Sequence, residues 1–228
     1  MNRKLLTLLS LAVASTTASY GALYTLSSGV SATASGIIDT QGRAFRAGTT
    51  PGAAFSGTAG GTSAGPGVVG FGIFSTDNLS ALSSTQLVAA FTGFGSTVPF
   101  NVAGTTGNRS VYSSAQSQAV LNSPFAGKAV YLFAGNGTTY GNSTEFLITK
   151  AASLTFNASD DNVPTPNSYV ITPGNSSVLF GSVVNDVKTS SSDTSVNSGW
   201  QMATPVPEPS AALLGALGAM VLLRRRRI

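Results

Sequence analysis

Neither cysteine nor histidine occurs in the 228 residues. Their absence removes disulfides, thiolate nucleophiles, Cys/His zinc sites, haem ligation by histidine and every triad or general base built on imidazole. Charge is scarce as well: charged residues are 9% of the chain against a globular norm of about 25%, so hydroxyls and amides must wet the surface. The net charge of +4 suggests an anionic partner until the basic residues are located. Arg3 and Lys4 open the chain and Arg224, Arg225, Arg226 and Arg227 nearly close it, leaving six basic against seven acidic residues between. With no basic stripe to release counterions from a phosphate backbone, nucleic acid is not an expected partner.

What is present is concentrated at the two ends. Residues 1–22 read as a signal peptide, with Arg3 and Lys4 as the basic region, an apolar stretch from Leu5 to Ala14 and small residues after it. LLTLLSLAVA is apolar on every side and lacks the polar stripe of a surface helix. At the other end Pro207, Glu208 and Pro209 precede an apolar segment from Ala211 to Leu223 and then the four arginines. As a helix that segment spans about 20–23 Å, short of a hydrocarbon core of about 30 Å. The arginines would stay cytoplasmic, with their long side chains snorkelling to the interface.

The order of these parts, Val206-Pro207-Glu208-Pro209-Ser210, apolar segment and terminal arginines, closely resembles the PEP-CTERM sorting signal of Gram-negative bacteria. The resemblance covers about 23 residues, and its specificity lies in the conjunction with an export signal. It implies an exported protein held in the inner membrane with its carboxy terminus cytoplasmic, transiently or stably. Processing by an exosortase-type enzyme would then deliver it to the cell surface or the extracellular matrix. Pro207, Glu208 and Pro209 would be recognised by that enzyme. Exopolysaccharide is the further partner such a route implies.

Between the ends, short apolar runs bounded by Gly, Asn, Pro or Ser read as strands and turns. Strands are expected at 24–33, 68–75, around Val111, and at 129–134, 146–150, 153–156, 169–172 and 178–184. One short helix is expected after Asp77 as cap, with Leu79, Leu82, Leu87 and Ala90 at helical spacing and Gly93 as its end. The fold class is therefore all-β, a sandwich or jelly-roll-like domain over 23–187 with at most one or two short helices, flanked by the two terminal helices. The glycine-rich tract from Gly48 to Gly67 reads as an exposed loop. Residues 188–205 read as a Ser/Thr-rich linker that holds the domain off the membrane, and 206–228 as the sorting segment.

Candidate chemistry in the middle is thin. Gly65-Pro66-Gly67-Val68-Val69-Gly70 has dinucleotide-fingerprint spacing, but a flexible loop is expected before it and a strand after it. Gly135-Asn136-Gly137 reads as a tight turn. Glu145 is the only glutamate of the middle, and Asp39, Asp77, Asp160, Asp161, Asp186 and Asp193 show no pairing motif of the kind a glycosidase needs. Asp160-Asp161-Asn162 lacks the spacing of a calcium loop. Sequon-like triplets at Asn78, Asn108, Asn136, Asn142, Asn157 and Asn175 mark surface loops open to envelope glycosylation. No catalytic residue, metal ligand or cofactor is expected. The leading expectation is a structural component of envelope or matrix. The alternatives are a carbohydrate-binding or adhesive module using Tyr112, Tyr131, Tyr140 and Trp200, and, more weakly, an envelope glycoside hydrolase.

Overall fold

The computed structural model describes residues 22–27, 35–46, 50–52, 62–100, 113–118, 124–156, 167–185, 187 and 198–205. The expected signal segment, apart from Ala22, which begins β1, and the sorting segment, including Pro207, Glu208, Pro209 and Arg224 to Arg227, lie outside the described residues. In chain order the elements are β1 (Ala22–Ser27), β2 (Ile37–Ile38), β3 (Ala44–Phe45), β4 (Ser63–Gly65), β5 (Val68–Phe74), α1 (Ser84–Ala90), β6 (Phe91–Gly93) and β7 (Val98–Pro99). There follow β8 (Ser113–Gln118), β9 (Ala129–Gly135), β10 (Phe146–Thr155), β11 (Asn167–Val170), β12 (Ser176–Phe180), β13 (Ser182–Val184) and β14 (Gly199–Gln201).

The strands form three sheets: β12-β10-β9-β5-β6 with β7 also on β5, β13-β14-β2-β3-β4, and β11-β1-β8. Alternation along the central strands explains how they stack, because successive side chains leave a strand on opposite faces. Val130, Leu132 and Ala134 of β9, Val69 and Phe71 of β5, and Leu147 of β10 all enter one cluster. There they meet Ile37, Phe45, Ala64 and Trp200 from the five-stranded sheet and Leu26 from β1. The intervening residues Tyr131, Phe133, Phe74, Phe146 and Ile148 enter a second cluster on the other face, covered by Leu79 and by Leu87 of α1. The result is an all-β sandwich whose largest sheet is covered on both faces.

The second face is built from rings. Phe133 stacks on Tyr140 at 4.2 Å, and Phe91 meets Phe74, Phe133 and Tyr140 edge-on or tilted. Space for them comes from β5, where a Cβ on Gly70 would lie 2.6 Å from Tyr140 Oη, and one on Gly72 would strike the Thr92 carbonyl and the Phe91 ring. Glycine serves here because its neighbours occupy the volume of a side chain.

Several expectations are corrected. The helix begins at Ser84 and not after Asp77: Ser83 Oγ accepts from the Gln86 N–H, and Gln86 Oε1 accepts from the Ser83 N–H. This reciprocal capping box satisfies two otherwise orphaned donors, and the chain passes straight from α1 into β6 at Phe91. Leu79 is buried from a turn that precedes the helix. The runs 146–150 and 153–156 are one strand, β10, whereas 178–184 is broken at Gly181, which has φ 100°. The tract Gly48 to Gly67 is not all exposed loop: Ser63, Ala64 and Gly65 form β4 and are buried.

The largest correction concerns the linker. Gly199–Gln201 is a strand between β13 and β2, Trp200 is fully buried, and Met202 and Pro205 are buried too. Beyond it, Ala203 and Phe146 exchange two backbone hydrogen bonds of 2.9 Å, fastening the chain to β10 of the other large sheet. A Ser/Thr-rich composition signals a linker only where nothing large and apolar needs cover, and Trp200 does need it. Of the expected linker, residues 188–197 lie outside the described residues.

Candidate functional site

Three polar groupings stand out on the described surface. The first joins the two large sheets. Asp39 is buried, and its Oδ1 accepts from the Gln41 and Arg43 N–H groups while Oδ2 pairs with Arg43 Nε at 2.6 Å. The carboxylate thus holds the turn between β2 and β3. Glu145, just before β10, accepts from the Thr40 N–H at 2.9 Å and from Thr40 Oγ1 at 2.7 Å. Gln201 Nε2 adds bonds to the Asp39 and Thr40 carbonyls. The fold thus brings Asp39 and Glu145, unpaired in sequence, to the two sides of Thr40, and their bonds tie a turn of one sheet to the start of a strand in the other.

The second grouping lies at the rim of the ring-lined face. Asp77 accepts from Tyr131 Oη and, at 2.8 Å, from Lys150 Nζ, which also lies 5.4 Å over the Tyr131 ring. The Lys150 hydrogen bond and then that of Tyr131 hold the Asp77 carboxyl below its ordinary range. The bond to Asp77 raises Lys150, while burial and then Asp77 raise Tyr131. Charge on this surface favours the ion pair, so the arrangement holds a proton distribution and leaves no group poised to exchange one near neutrality.

The third is the connection between β9 and β10. It is a loop of ten residues, 136–145, and not the tight turn expected at Gly135-Asn136-Gly137. Asn136 Oδ1 accepts from the Thr144 and Glu145 N–H groups and so spans it. Within it a 3-10 turn, Tyr140–Asn142, has the Thr139 N–H donating to Asn142 Oδ1 and Ser143 Oγ donating to the Thr139 carbonyl. The same construction recurs before β12, where the Thr172 N–H donates to Asn175 Oδ1 and Ser176 Oγ to the Thr172 carbonyl. The sequence had carried this signal as Thr-x-Gly-Asn-Ser at 139–143 and 172–176. The sequon-like asparagines here are turn-builders: Asn136, Asn142 and Asn175 also donate through Nδ2, to Thr144, Thr138 and the Val170 carbonyl.

Beside this loop, Ser84, Thr85, Val88 and Ala89 of α1 face Tyr140, Gly141 and Ser143 across an open hollow of about 300 Å³. Tyr140 Oη donates to the Phe133 carbonyl at 2.7 Å, and burial pushes this hydroxyl well above its ordinary pKa. Of the aromatics considered for sugar stacking, Trp200 and Tyr131 are buried, Tyr140 borders the hollow, and Tyr112 lies outside the described residues. The Gly65 to Gly70 fingerprint begins on the last residue of strand β4, not after a flexible loop, and runs into strand β5, with no helix to receive a pyrophosphate. Asp160, Asp161, Asn162, Asp186 and Asp193 lie outside the described residues.

Among the described residues no group of three or more potential ligands is placed to hold a metal ion, and no helix is long and apolar enough to cross a membrane. Comparison with protein-family models, with curated proteins and with solved structures finds no match to this chain.

Proposed function

We propose that the protein is a non-catalytic, exported structural component of a bacterial envelope or exopolysaccharide matrix, delivered by a carboxy-terminal tail that an exosortase-type enzyme processes. The observation that carries this reading is the conjunction of Pro207-Glu208-Pro209, the apolar segment and Arg224 to Arg227 with the amino-terminal export signal. The body fits such a role in its economy of charge, and the polar side chains of the first and third groupings serve a sheet junction and turns. The test is mass spectrometry of both mature termini in protein taken from its native envelope. A chain ending near Pro207 to Pro209, without 211–228, supports processing. Retention of Arg224 to Ile228 at steady state would make the tail an ordinary anchor and overturn the sorting reading.

A second reading, a carbohydrate-binding module, draws on the hollow at Tyr140, where hydroxyls of Ser84 and Thr85 lie near apolar Val88 and Ala89. Sugars present both kinds of surface. Retention on a polysaccharide column that Val88→Trp abolishes without loss of folding would favour it, and no retention of the parent protein would dismiss it.

A further inference from the structure

The sheet edges of this body are not equally protected. On the five-stranded sheet the β4 edge is buried. On the six-stranded sheet β7 ends in Pro99 and β6 is three residues long. Among the described residues the remaining edges of these two large sheets, β12 and β13, are consecutive: 176–184 borders first one and then, past the corner at Gly181, the other. Exposed edges are ordinarily blunted by lysine, proline, inward charge or a bulge, because their free N–H and C=O groups template pairing with another strand. From Ser176 to Asn185 the sequence has no ionisable residue and no proline.

β12 retains one of these protections, a register shift against β10 that leaves Leu179 without a partner position. β13 has no lysine, proline, charge or bulge and is limited only by its length, three residues as in β6: Ser182, Val183 and Val184 run in unbroken register with Gln201, Trp200 and Gly199. Val183 is 50% exposed, and among the described residues only Val170 is an equally exposed large hydrophobic residue. Val170 leads into the turn that begins β12, with its carbonyl held by Asn175.

We propose that β13 pairs antiparallel with β13 of a second copy of this chain, about a two-fold axis at Val183, joining two five-stranded sheets into one. A two-fold contact uses the same patch on both partners. Here that patch is self-compatible: Val183 meets Val183, Ser182 meets Val184, and no like charges oppose one another, a confrontation that disfavours pairing on most strand edges. This goes beyond the sorting reading and does not depend on it, since it uses only the folded body.

The absence of native cysteine makes the test clean. Directly opposed residues in an antiparallel pair have Cβ atoms about 4.5–5.5 Å apart, near the spacing a disulfide needs. In the full-length protein under mild oxidation, Val183→Cys should give a disulfide-linked dimer at least about tenfold faster than Thr85→Cys, which is exposed on α1 away from the edge. Val183→Lys, at a position exposed enough to leave folding intact, should abolish the dimer seen by sedimentation. Equal cross-linking of the two cysteine variants, a Val183→Cys cross-link to a different protein, or a sedimentation profile unchanged by Val183→Lys would each overturn the proposal.

Discussion

The two faces of the six-stranded sheet solve the same problem by different means. One is covered by other sheets, and its cluster draws on all three through side chains such as Leu26, Val69, Leu132 and Trp200. The other is covered by one seven-residue helix and a loop, and makes up the deficit with rings packed into the space left by Gly70 and Gly72. A face covered by sheets distributes its dependence over many aliphatic contacts. A face covered by a short helix concentrates it in a few aromatic contacts and in the bonds that hold the cover in place.

Substitutions can break the comparison on either side. Trp200→Ala, on the inter-sheet side, should cost the most, about 3–5 kcal/mol of unfolding free energy in denaturant titration, as large aromatic deletions in cores do. Gly72→Val should cost about 3 kcal/mol, read the same way, because the obstructing atoms include a backbone carbonyl and cannot rotate aside. Asn142→Ala, which frees the turn carrying Tyr140, should lower stability by about 1–2 kcal/mol and speed amide exchange of 136–145 before the rest of the protein.

Two smaller effects sharpen the contrast. Thr149 Oγ1 and Trp200 Nε1 are buried without a hydrogen-bond partner among the described residues. Thr149→Val, nearly the same shape, should therefore be neutral or stabilising by up to about 1 kcal/mol in thermal melts. The smallest effect belongs to the exposed pair at the ring-lined rim. Lys150→Met should lose about 0.5 kcal/mol near neutrality. The lowered Asp77 contributes stability above the unfolded carboxylate value of about 3.9 and loses it as pH falls through its folded value. The raised Lys150 contributes below about 10.4 and loses its share as pH rises through its folded value. The difference between parent and variant should thus be a plateau that closes at both ends of a pH series.

The all-β class and the central strands β5, β9 and β10 were legible because each carries an apolar run long enough to show its type. β2, β3, β7 and β14 were not, since two or three residues hold no periodicity, and β14 finds one partner far off in sequence: Trp200 pairs with Ile37. Composition misled at 198–205 for the same reason, because the burial of Trp200 is a property of the sandwich and not of its neighbours. The helix start was legible in Ser83 and Gln86, but the acid at Asp77 drew the cap six residues too early, and its carboxylate serves Tyr131 and Lys150 instead. Of the polar groupings, the paired Thr-x-Gly-Asn-Ser turns could have been found by comparing the segments before β10 and β12. The meeting of Asp39, Thr40 and Glu145 could not, since 105 positions separate Thr40 from Glu145.

The seating of Ala203 and β14 also sets how the body would bear tension. A pull applied beyond Pro205 reaches the two Ala203–Phe146 bonds first and then runs along β14, which is flanked on both sides by β13 and β2. Pulling along the axis of a flanked strand strains the bonds of both its ladders together, whereas lifting an edge strand breaks them in turn. A protein tethered by this end would transmit force into its largest fully buried side chain, Trp200, through a junction that gives way as a unit.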